Sequence, residues 1–210
     1  MLEKEQKLKE EMIKAGRRLY QTSLVVARSG NLSCRLDQDN ILITATATFL
    51  GELRPQEIVL VNINTHKSEG NLPPSSELPM HSLIYKNFPC QAIIHCHPPL
   101  INGYFAVAPA LKALTFETSF YLGEVPVVAQ DTPTVTKPEL VIAALKNNNL
   151  VVLKNHGTVA IGSNFHDALS LTEALEEAVK TLAIARLLQK DALDALDTAL
   201  KERLTKKDTA

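Results

Sequence analysis

Two paired runs of apolar residues, each interrupted by a short polar turn, most constrain the fold of this chain. In residues 32–44 the turn is Asp-Gln-Asp-Asn, and in residues 150–161 the turn contains Asn-His-Gly. Short apolar runs that flank a tight turn are typical of β-strands joined as a hairpin. Because hairpin strands are antiparallel, the chain is predicted to contain antiparallel sheet.

Helical and extended segments alternate along the rest of the chain. Further strands are predicted at residues 58–63, 92–97 and 125–128, the last at a sheet edge or at the start of a strand because it contains Pro126. Helices are predicted at residues 3–28, from Pro79 onward, at 100–108, at 138–146 and from Ser163 onward, with a further amphipathic stretch through Leu193, Leu196, Leu200 and Leu204. We expect one α/β domain over residues 1–210, with a mixed, largely antiparallel central sheet flanked by helices.

The composition is that of an ordinary globular protein and excludes several functional classes. Lys and Arg number 22 against 23 Asp and Glu, so no basic surface is expected for binding nucleic acid. No apolar run approaches the roughly 18 residues of a membrane span, and the charged N-terminus does not resemble a secretory signal. The residues Cys34, Cys90 and Cys96 form no CxxC pair, which is typical of a reducing compartment rather than of a disulfide framework. We therefore expect an intracellular protein with no nucleic-acid or membrane partner.

His95 and His97 are separated by one residue at the end of a predicted strand. Alternate residues of a strand point to the same face, so both imidazoles project side by side while Cys96 faces the other way. His156, in the tight turn between two apolar strands, is the best candidate for a third ligand. These are either three independent histidines or the ligands of one divalent ion, and three nitrogen ligands with an open fourth position are typical of catalytic zinc.

A carboxylate and several small polar residues could complete such a site. Glu77 follows Ser75 and Ser76 at the predicted start of a helix. The glutamate is either a general base or an acid that interacts favourably with the helix dipole. The two serines are either helix caps or part of an anion site, and Gly30-Asn31 is either a plain turn or a set of backbone donors for phosphate.

Four blocks of residues, taken in chain order, carry a resemblance to a known family. The blocks are Ser29-Gly30-Asn31-Leu32-Ser33, Leu42-Ile43-Thr44-Ala45-Thr46, Ser75-Ser76-Glu77 with His81, and His95-Cys96-His97 followed by Asn155-His156-Gly157. Together they resemble the class II aldolase and adducin family, of the fuculose-phosphate aldolase and ribulose-phosphate 4-epimerase type. The blocks lie within residues 29–162, and the resemblance implies a class II aldolase-like fold.

The resemblance also implies a role for each matching residue. It makes zinc ligands of His95, His97 and His156, and it makes Glu77 the acid/base. The residues that match positions holding the substrate phosphate are Gly30, Asn31, Thr46, Ser75 and Ser76. The implied protein is a cytoplasmic, zinc-dependent lyase that cleaves or forms a C–C bond in a small phosphorylated ketose such as fuculose 1-phosphate, through a metal-stabilised enediolate. A homotetramer with one zinc ion per subunit is implied as well.

The sequence departs from the pattern of the aldolases in two places. Ala47 stands where their phosphate loop has glycine, and Ala129-Gln130-Asp131 stands where they have a tyrosine. The tail after Leu204 has no aromatic residue to match a second family tyrosine. The proton donor for the second half of the reaction is therefore unassigned.

Several alternatives stay open at this point. Epimerases of the family usually carry Asp after the double serine, so Glu77 favours an aldolase, whereas dehydratases and decarboxylases also carry Glu. A dehydratase, decarboxylase or 4-epimerase of a related sugar phosphate is an alternative, as is a non-catalytic assembly domain with the same fold. Cobalt, manganese or iron could replace zinc at nitrogen ligands. The aromatic residues Phe88, Phe105, Phe116 and Phe120 could belong to the core or to a subunit interface.

Overall fold

The structure is a computed structural model that describes residues 2–207, with side chains described up to residue 189. Its strands are β1 (Asn31–Arg35), β2 (Asn40–Thr44), β3 (Ile58–Asn62), β4 (Ser68–Glu69), β5 (Ala92–Cys96), β6 (Val127–Val128), β7 (Leu150–Leu153) and β8 (Gly157–Gly162). Its α-helices are α1 (Leu2–Gln21), α2 (Leu78–Asn87), α3 (Pro99–Val107), α4 (Phe116–Leu122), α5 (Pro138–Leu145) and α6 (Phe165–Lys207). Short 3₁₀ helices at Leu50–Glu52 and Pro55–Glu57 lie between β2 and β3.

The eight strands form one sheet in the order β4-β3-β2-β1-β5-β8-β7-β6. Neighbouring strands are antiparallel except β6 and β7, which are parallel. The prediction of a mixed, largely antiparallel sheet is confirmed, as is the edge position of the strand near residue 127. Both predicted hairpins are present, since Cys34 pairs with Leu42 in the first and Val152 pairs with Thr158 in the second.

Helices cover both faces of the sheet, so the chain has three layers. The alternation of side chains along each strand explains this arrangement, because successive residues enter different cores. In β5, Ile94 and Cys96 belong to the core that includes residues of α1, α3 and α6. Ile93 belongs to the core that includes residues of α2 and α5. Cys96 therefore faces away from the neighbouring His95, as predicted.

The four phenylalanines named above divide between core and surface. Phe105 is fully buried, and Phe88 packs partly buried against the core on the α2 and α5 side. In contrast, Phe116 and Phe120 on α4 are 97% and 83% exposed. Two of the four thus belong to the core, and the other two contribute an aromatic surface.

The first helix is shorter than predicted. It ends at Gln21 rather than at residue 28. Directly after this end, the Thr22 hydroxyl donates a hydrogen bond to the Arg18 carbonyl oxygen at 2.8 Å. Ser23 and Ala27 then have positive φ angles of 59° and 50°, which no helix can accommodate. Neither residue is a glycine, so no residue type at these positions indicates that the helix stops here.

Some elements were not predicted, and one prediction falls partly outside the description. The unpredicted elements are β4, α4 and the two 3₁₀ helices. The backbone of α6 runs through the predicted amphipathic stretch from Leu193 to Leu204, whose side chains lie outside the described residues. Within residues 2–207, no helix has both the length and the apolar character needed to cross a bilayer.

Candidate metal centre and substrate pocket

Two neighbouring strands bring the predicted histidines together. His95 lies near the end of β5, and His97 follows that strand. Strand β8 is antiparallel to β5 and begins at Gly157, so the turn before β8 places His156 beside them. Gly157 lies so close to the Cys96 carbonyl oxygen that a β-carbon would overlap it. Only glycine therefore fits where the turn that carries His156 crosses the end of β5.

The three imidazoles face one another. Their ring centroids are 4.7 to 4.9 Å apart, and one nitrogen of each ring lies within 4.8 Å of the others. The Nε2 atoms of His95 and His97 are 3.0 Å apart. Two ligands on one tetrahedral ion are separated by about 3.3 Å when each bond is about 2.0–2.1 Å long. The cluster could therefore hold a metal ion.

The protonation of these rings also fits metal binding. His95 Nδ1–H donates to the Thr158 carbonyl oxygen at 2.9 Å, which leaves a lone pair on Nε2. Burial holds the pKa of His95 well below its usual range, with the other two rings adding to the effect, and burial lowers the pKa of His97 to about 4. His156 Nδ1 is buried without a hydrogen-bond partner among the described residues. Neutral rings with converging lone pairs and an unpaired nitrogen are an arrangement that a divalent cation stabilises.

Glu77 precedes α2 and is only 4% exposed. Its two carboxylate oxygens lie 3.1 and 3.3 Å from the backbone nitrogen of Val135, which donates to them. Burial raises the pKa of Glu77, and the hydrogen bond from Val135 opposes this shift. A carboxyl group with a raised pKa is suited to general acid and base catalysis near neutral pH.

All the residues that the sequence predicted for the site line one pocket of about 160 Å³. The pocket is lined by Arg28, Ser29, Gly30, Asn31, Ala45, Thr46, Ala47, Ser75, Ser76, Glu77, His95, His97, Pro133 and His156. The structure thus brings together the histidines, the carboxylate and the small polar residues. The roles assigned to them stay predictions.

Backbone hydrogen bonds hold the polar side of the pocket, formed by the segments around Thr46 and Ser75, next to β2. The backbone N–H of Thr46 donates to the Pro73 carbonyl oxygen, and that of Ser75 donates to the Thr44 carbonyl oxygen, both at 3.0 Å. Ser75 Oγ accepts from the backbone N–H of Glu77 at 3.2 Å. Ser75 therefore shapes the turn before α2, although no side chain caps the helix itself.

Two residues of the pocket have a left-handed backbone. Gly30 has a φ of 78°, and a β-carbon there would lie 2.8 Å from the His95 carbonyl oxygen. Ala47 has a φ of 58°, at the position where the aldolases of the resembling family carry glycine. An L-residue adopts this conformation at a cost of about 1–2 kcal/mol. Ala47 therefore holds a left-handed conformation that glycine adopts freely, at the cost of local strain.

Three residues of the pocket region were not predicted from the sequence. Arg28 is the one Lys or Arg in the described pocket lining, Pro133 lies in the wall, and Val135 holds Glu77. Arg28 directly precedes the Ser29-Gly30-Asn31 block, and a cation beside a candidate anion loop is a signal that could have identified it. Nothing in the sequence pattern marks the other two, because their loop approaches Glu77 from 58 residues away.

The fold and the pocket together define a three-layer α/β domain with a candidate three-histidine metal centre. The chain matches the class II aldolase and adducin N-terminal domain over residues 10–183. It is 32% identical over 190 residues to the 3-oxo-tetronate 4-phosphate decarboxylase of Pectobacterium atrosepticum, covering 87% of each chain. It is 33% identical over 161 residues to the L-fuculose phosphate aldolase of Methanococcus maripaludis, covering 76% of this chain and 87% of that relative.

A solved structure agrees with these sequence matches. The L-fuculose-1-phosphate aldolase of Thermus thermophilus superposes with a TM-score of 0.77 and 28% identity, covering 87% of this chain and 96% of that one. The chain therefore belongs to the class II aldolase and adducin family. The resemblance seen in the sequence motifs is confirmed.

Proposed function

We propose that the protein is a metal-dependent lyase that cleaves a C–C bond in a small phosphorylated ketose or keto acid. The observation that carries the proposal is one pocket in which His95, His97 and His156 converge beside the buried Glu77. Relatives named L-fuculose phosphate aldolase and 3-oxo-tetronate 4-phosphate decarboxylase support both the reaction class and the phosphate group of the substrate.

The residues of the pocket divide between holding the substrate and moving a proton. His95, His97 and His156 would hold the divalent ion, which when bound supplies a Lewis acid for the carbonyl and adjacent hydroxyl oxygens of the substrate. Bond cleavage leaves an electron pair on the carbon next to the carbonyl group. Glu77, whose pKa is raised by burial, would act as the acid that donates a proton to that carbon. In the direction of condensation, the carboxylate removes the same proton.

The polar side of the pocket would bind the phosphate group. The residues proposed for this role are Gly30, Asn31, Thr46, Ser75 and Ser76. Backbone N–H groups and short hydroxyl or amide side chains are suited to phosphate oxygens without a strongly basic surface. This binding holds the phosphorylated substrate in the pocket and contributes to its affinity.

Decarboxylation is a second candidate, which a specific observation favours. Aldol cleavage of a ketose 1-phosphate breaks the bond between C3 and C4, so a second group must take the proton of the C4 hydroxyl. Within the described pocket lining, Glu77 is the one carboxyl group, and no tyrosine is present. Decarboxylation of a 3-oxo-tetronate 4-phosphate breaks the bond between C1 and C2, releases CO₂ and requires one proton at C2, which Glu77 alone can supply.

The two candidate reactions leave the same fragment on the protein. Loss of an aldehyde from the ketose 1-phosphate and loss of CO₂ from the keto acid both leave the carbanion of dihydroxyacetone phosphate. Glu77 therefore has the same role in both, and the identity of the second product distinguishes them. An aldehyde indicates an aldolase, whereas CO₂ indicates a decarboxylase.

The Glu77→Gln variant tests the proposed proton transfer. The amide keeps the size of the side chain but cannot donate or accept the proton, so kcat should fall by about 10²–10⁴-fold. The bound metal, measured by elemental analysis, should not change. Glu69→Gln, at an exposed position on β4, is the matched control. Undiminished turnover of Glu77→Gln would contradict the assigned role.

Zinc as the ion, a homotetrameric assembly and a cytoplasmic location are further parts of this proposal. Three nitrogen ligands suit zinc, and a metal content below about one tenth of an equivalent would favour a non-catalytic assembly domain instead. The aromatic surface of α4 supports assembly, because Phe116, Phe120 and Tyr121 are 97%, 83% and 67% exposed. A sizing measurement that gives the monomer mass of 23.0 kDa would contradict the tetramer.

A further inference from the structure

A row of buried, hydrogen-bonded polar side chains connects α2 to Asn31, which lines the pocket. His81 and Ser33 are fully buried, and Tyr85 is 3% exposed. The Tyr85 hydroxyl lies 2.9 Å from Ser33 Oγ, which lies 2.6 Å from His81 Nδ1. His81 Nε2 in turn lies 2.7 Å from Asn31 Oδ1. We refer to Tyr85, Ser33, His81 and Asn31 as the His81 network.

The direction of hydrogen bonding in this network is fixed at the Tyr85 end. Among the described residues, Ser33 is the one hydrogen-bond partner of the Tyr85 hydroxyl. If Tyr85 accepted from Ser33, its own buried hydrogen would be unpaired, at a cost of about 1–3 kcal/mol. Tyr85 therefore donates to Ser33, and the Ser33 hydroxyl donates to His81 Nδ1.

The neutral His81 ring donates the next hydrogen bond of the network, to Asn31. Burial lowers the pKa of His81 to about 3, so the ring is neutral and carries a single N–H. Because Nδ1 accepts from Ser33, the hydrogen is on Nε2 and is donated to Asn31 Oδ1. Every polar hydrogen of the three buried groups then has an acceptor.

This direction determines which end of the Asn31 amide faces the pocket. Asn31 lines the pocket and is 7% exposed. Its Oδ1 is held by His81, and its Nδ2 makes no hydrogen bond in the described part of the chain. A free asparagine amide can rotate to present either oxygen or nitrogen, but this one presents its NH₂ group. Nitrogen donors attract a phosphate oxygen, which an amide oxygen would repel.

We propose that His81 is a positioning residue that locks Asn31 as a hydrogen-bond donor to the phosphate group of the substrate. The proposal rests on the proposed function, which supplies the phosphorylated substrate. His81 does not line the pocket and acts through Asn31. An amide nitrogen held in this orientation favours a group that accepts hydrogen bonds, such as a phosphate oxygen, at this end of the pocket.

Two substitutions at His81 separate the effect of its donor nitrogen from the effect of its acceptor nitrogen. In His81→Gln, the amide nitrogen lies near the former Nε2 and can still donate to Asn31. In His81→Asn, the shorter amide lies near the former Nδ1, accepts from Ser33 and leaves Asn31 without a fixed donor. The probe is inorganic phosphate, whose affinity for the metal-loaded protein is measured by calorimetry. We expect His81→Asn to weaken phosphate binding by about tenfold or more, and His81→Gln to weaken it by less than about threefold.

Steady-state kinetics and a double variant provide a second readout. In His81→Asn, KM for the phosphorylated substrate should rise while kcat at saturation is retained, because the network does not touch the reacting carbon. Asn31→Ala should cost less phosphate affinity in the His81→Asn background than in the wild type, since both substitutions act on one donor. Met12→Ala, on the buried face of α1, controls for lost stability and should keep wild-type phosphate affinity.

The outcomes separate this proposal from the proposed function. Equal phosphate affinity of the wild type and His81→Asn, with the wild type still turning over substrate, overturns the role of His81 alone. A wild-type protein that neither binds phosphate nor turns over phosphorylated substrates overturns both. If His81→Asn does not fold, Ser33→Ala replaces it, because it frees the His81 tautomer and should also weaken phosphate binding. Unchanged phosphate affinity in Ser33→Ala would then overturn the proposal.

Discussion

Replacing His81 by glutamine is expected to make the protein less sensitive to acid. His81 is fully buried, and burial lowers its pKa to about 3 from the ordinary value of 6.5. Below pH 6.5 the unfolded chain binds a proton here that the folded chain does not bind until about pH 3, so acid favours unfolding across that window. One pKa unit corresponds to about 1.4 kcal/mol, so acidification from about pH 7.5 to about pH 5 should lower the free energy of unfolding through this residue by about 2 kcal/mol.

Urea unfolding of the wild type and His81→Gln, at both pH values and one protein concentration, measures this effect. Both proteins contain the other histidines, whose contributions cancel in the comparison. The free energy of unfolding should fall on acidification by about 2 kcal/mol less in His81→Gln than in the wild type. Any loss of stability that the variant shows at neutral pH does not enter this difference. Equal losses in the two proteins would refute the reasoning, because His81 would then not be held neutral by burial.

Three further predictions concern the pocket and the surface. Gly30→Ala should lower the free energy of unfolding by about 1–3 kcal/mol in thermal or urea unfolding, because φ is 78° there and the β-carbon would meet the His95 carbonyl oxygen. Gly103→Ala, where a β-carbon meets nothing within 4 Å, is its control and should not be destabilised. Arg28→Met should raise KM for the phosphorylated substrate about fivefold with little change in kcat, because it removes a positive charge from the pocket lining. An unchanged KM would contradict an attraction between this cation and the phosphate group. Replacing Phe116 and Phe120 by serine should shift the protein to a smaller species on a sizing column, whereas an unchanged elution volume would place the interface elsewhere.

The sequence predicted those parts of the fold that depend on local patterns. The hairpin of β1 and β2 is marked by alternating apolar residues and an Asp-Gln-Asp-Asn turn, and its register pairs Cys34 with Leu42. The candidate metal centre was predictable for a similar reason. Because residues two apart in a strand share a face, His95 and His97 had to project together, and the turn at His156 was evident from its glycine.

The remaining features depend on contacts between segments far apart in the chain. The end of α1 at Gln21 follows from left-handed residues that are not glycines. Ser33 is a hydrogen-bond partner of both His81 and Tyr85. It lies 48 and 52 residues from them in the chain, so no sequence spacing reveals these bonds. Val135 reaches Glu77 over a comparable distance. Long-range hydrogen bonds of this kind are set by tertiary packing, which local propensity does not encode.

The most direct test of the proposed function is the chelator dependence of dihydroxyacetone phosphate release. Both candidate reactions yield this product, so one coupled assay covers L-fuculose 1-phosphate and 3-oxo-tetronate 4-phosphate. We predict that the metal-loaded protein releases it from at least one of the two substrates. The release should stop when a chelator removes the metal and resume when a divalent ion is restored. No release from either substrate, or release that the chelator leaves unchanged, would contradict a metal-dependent lyase built on His95, His97 and His156.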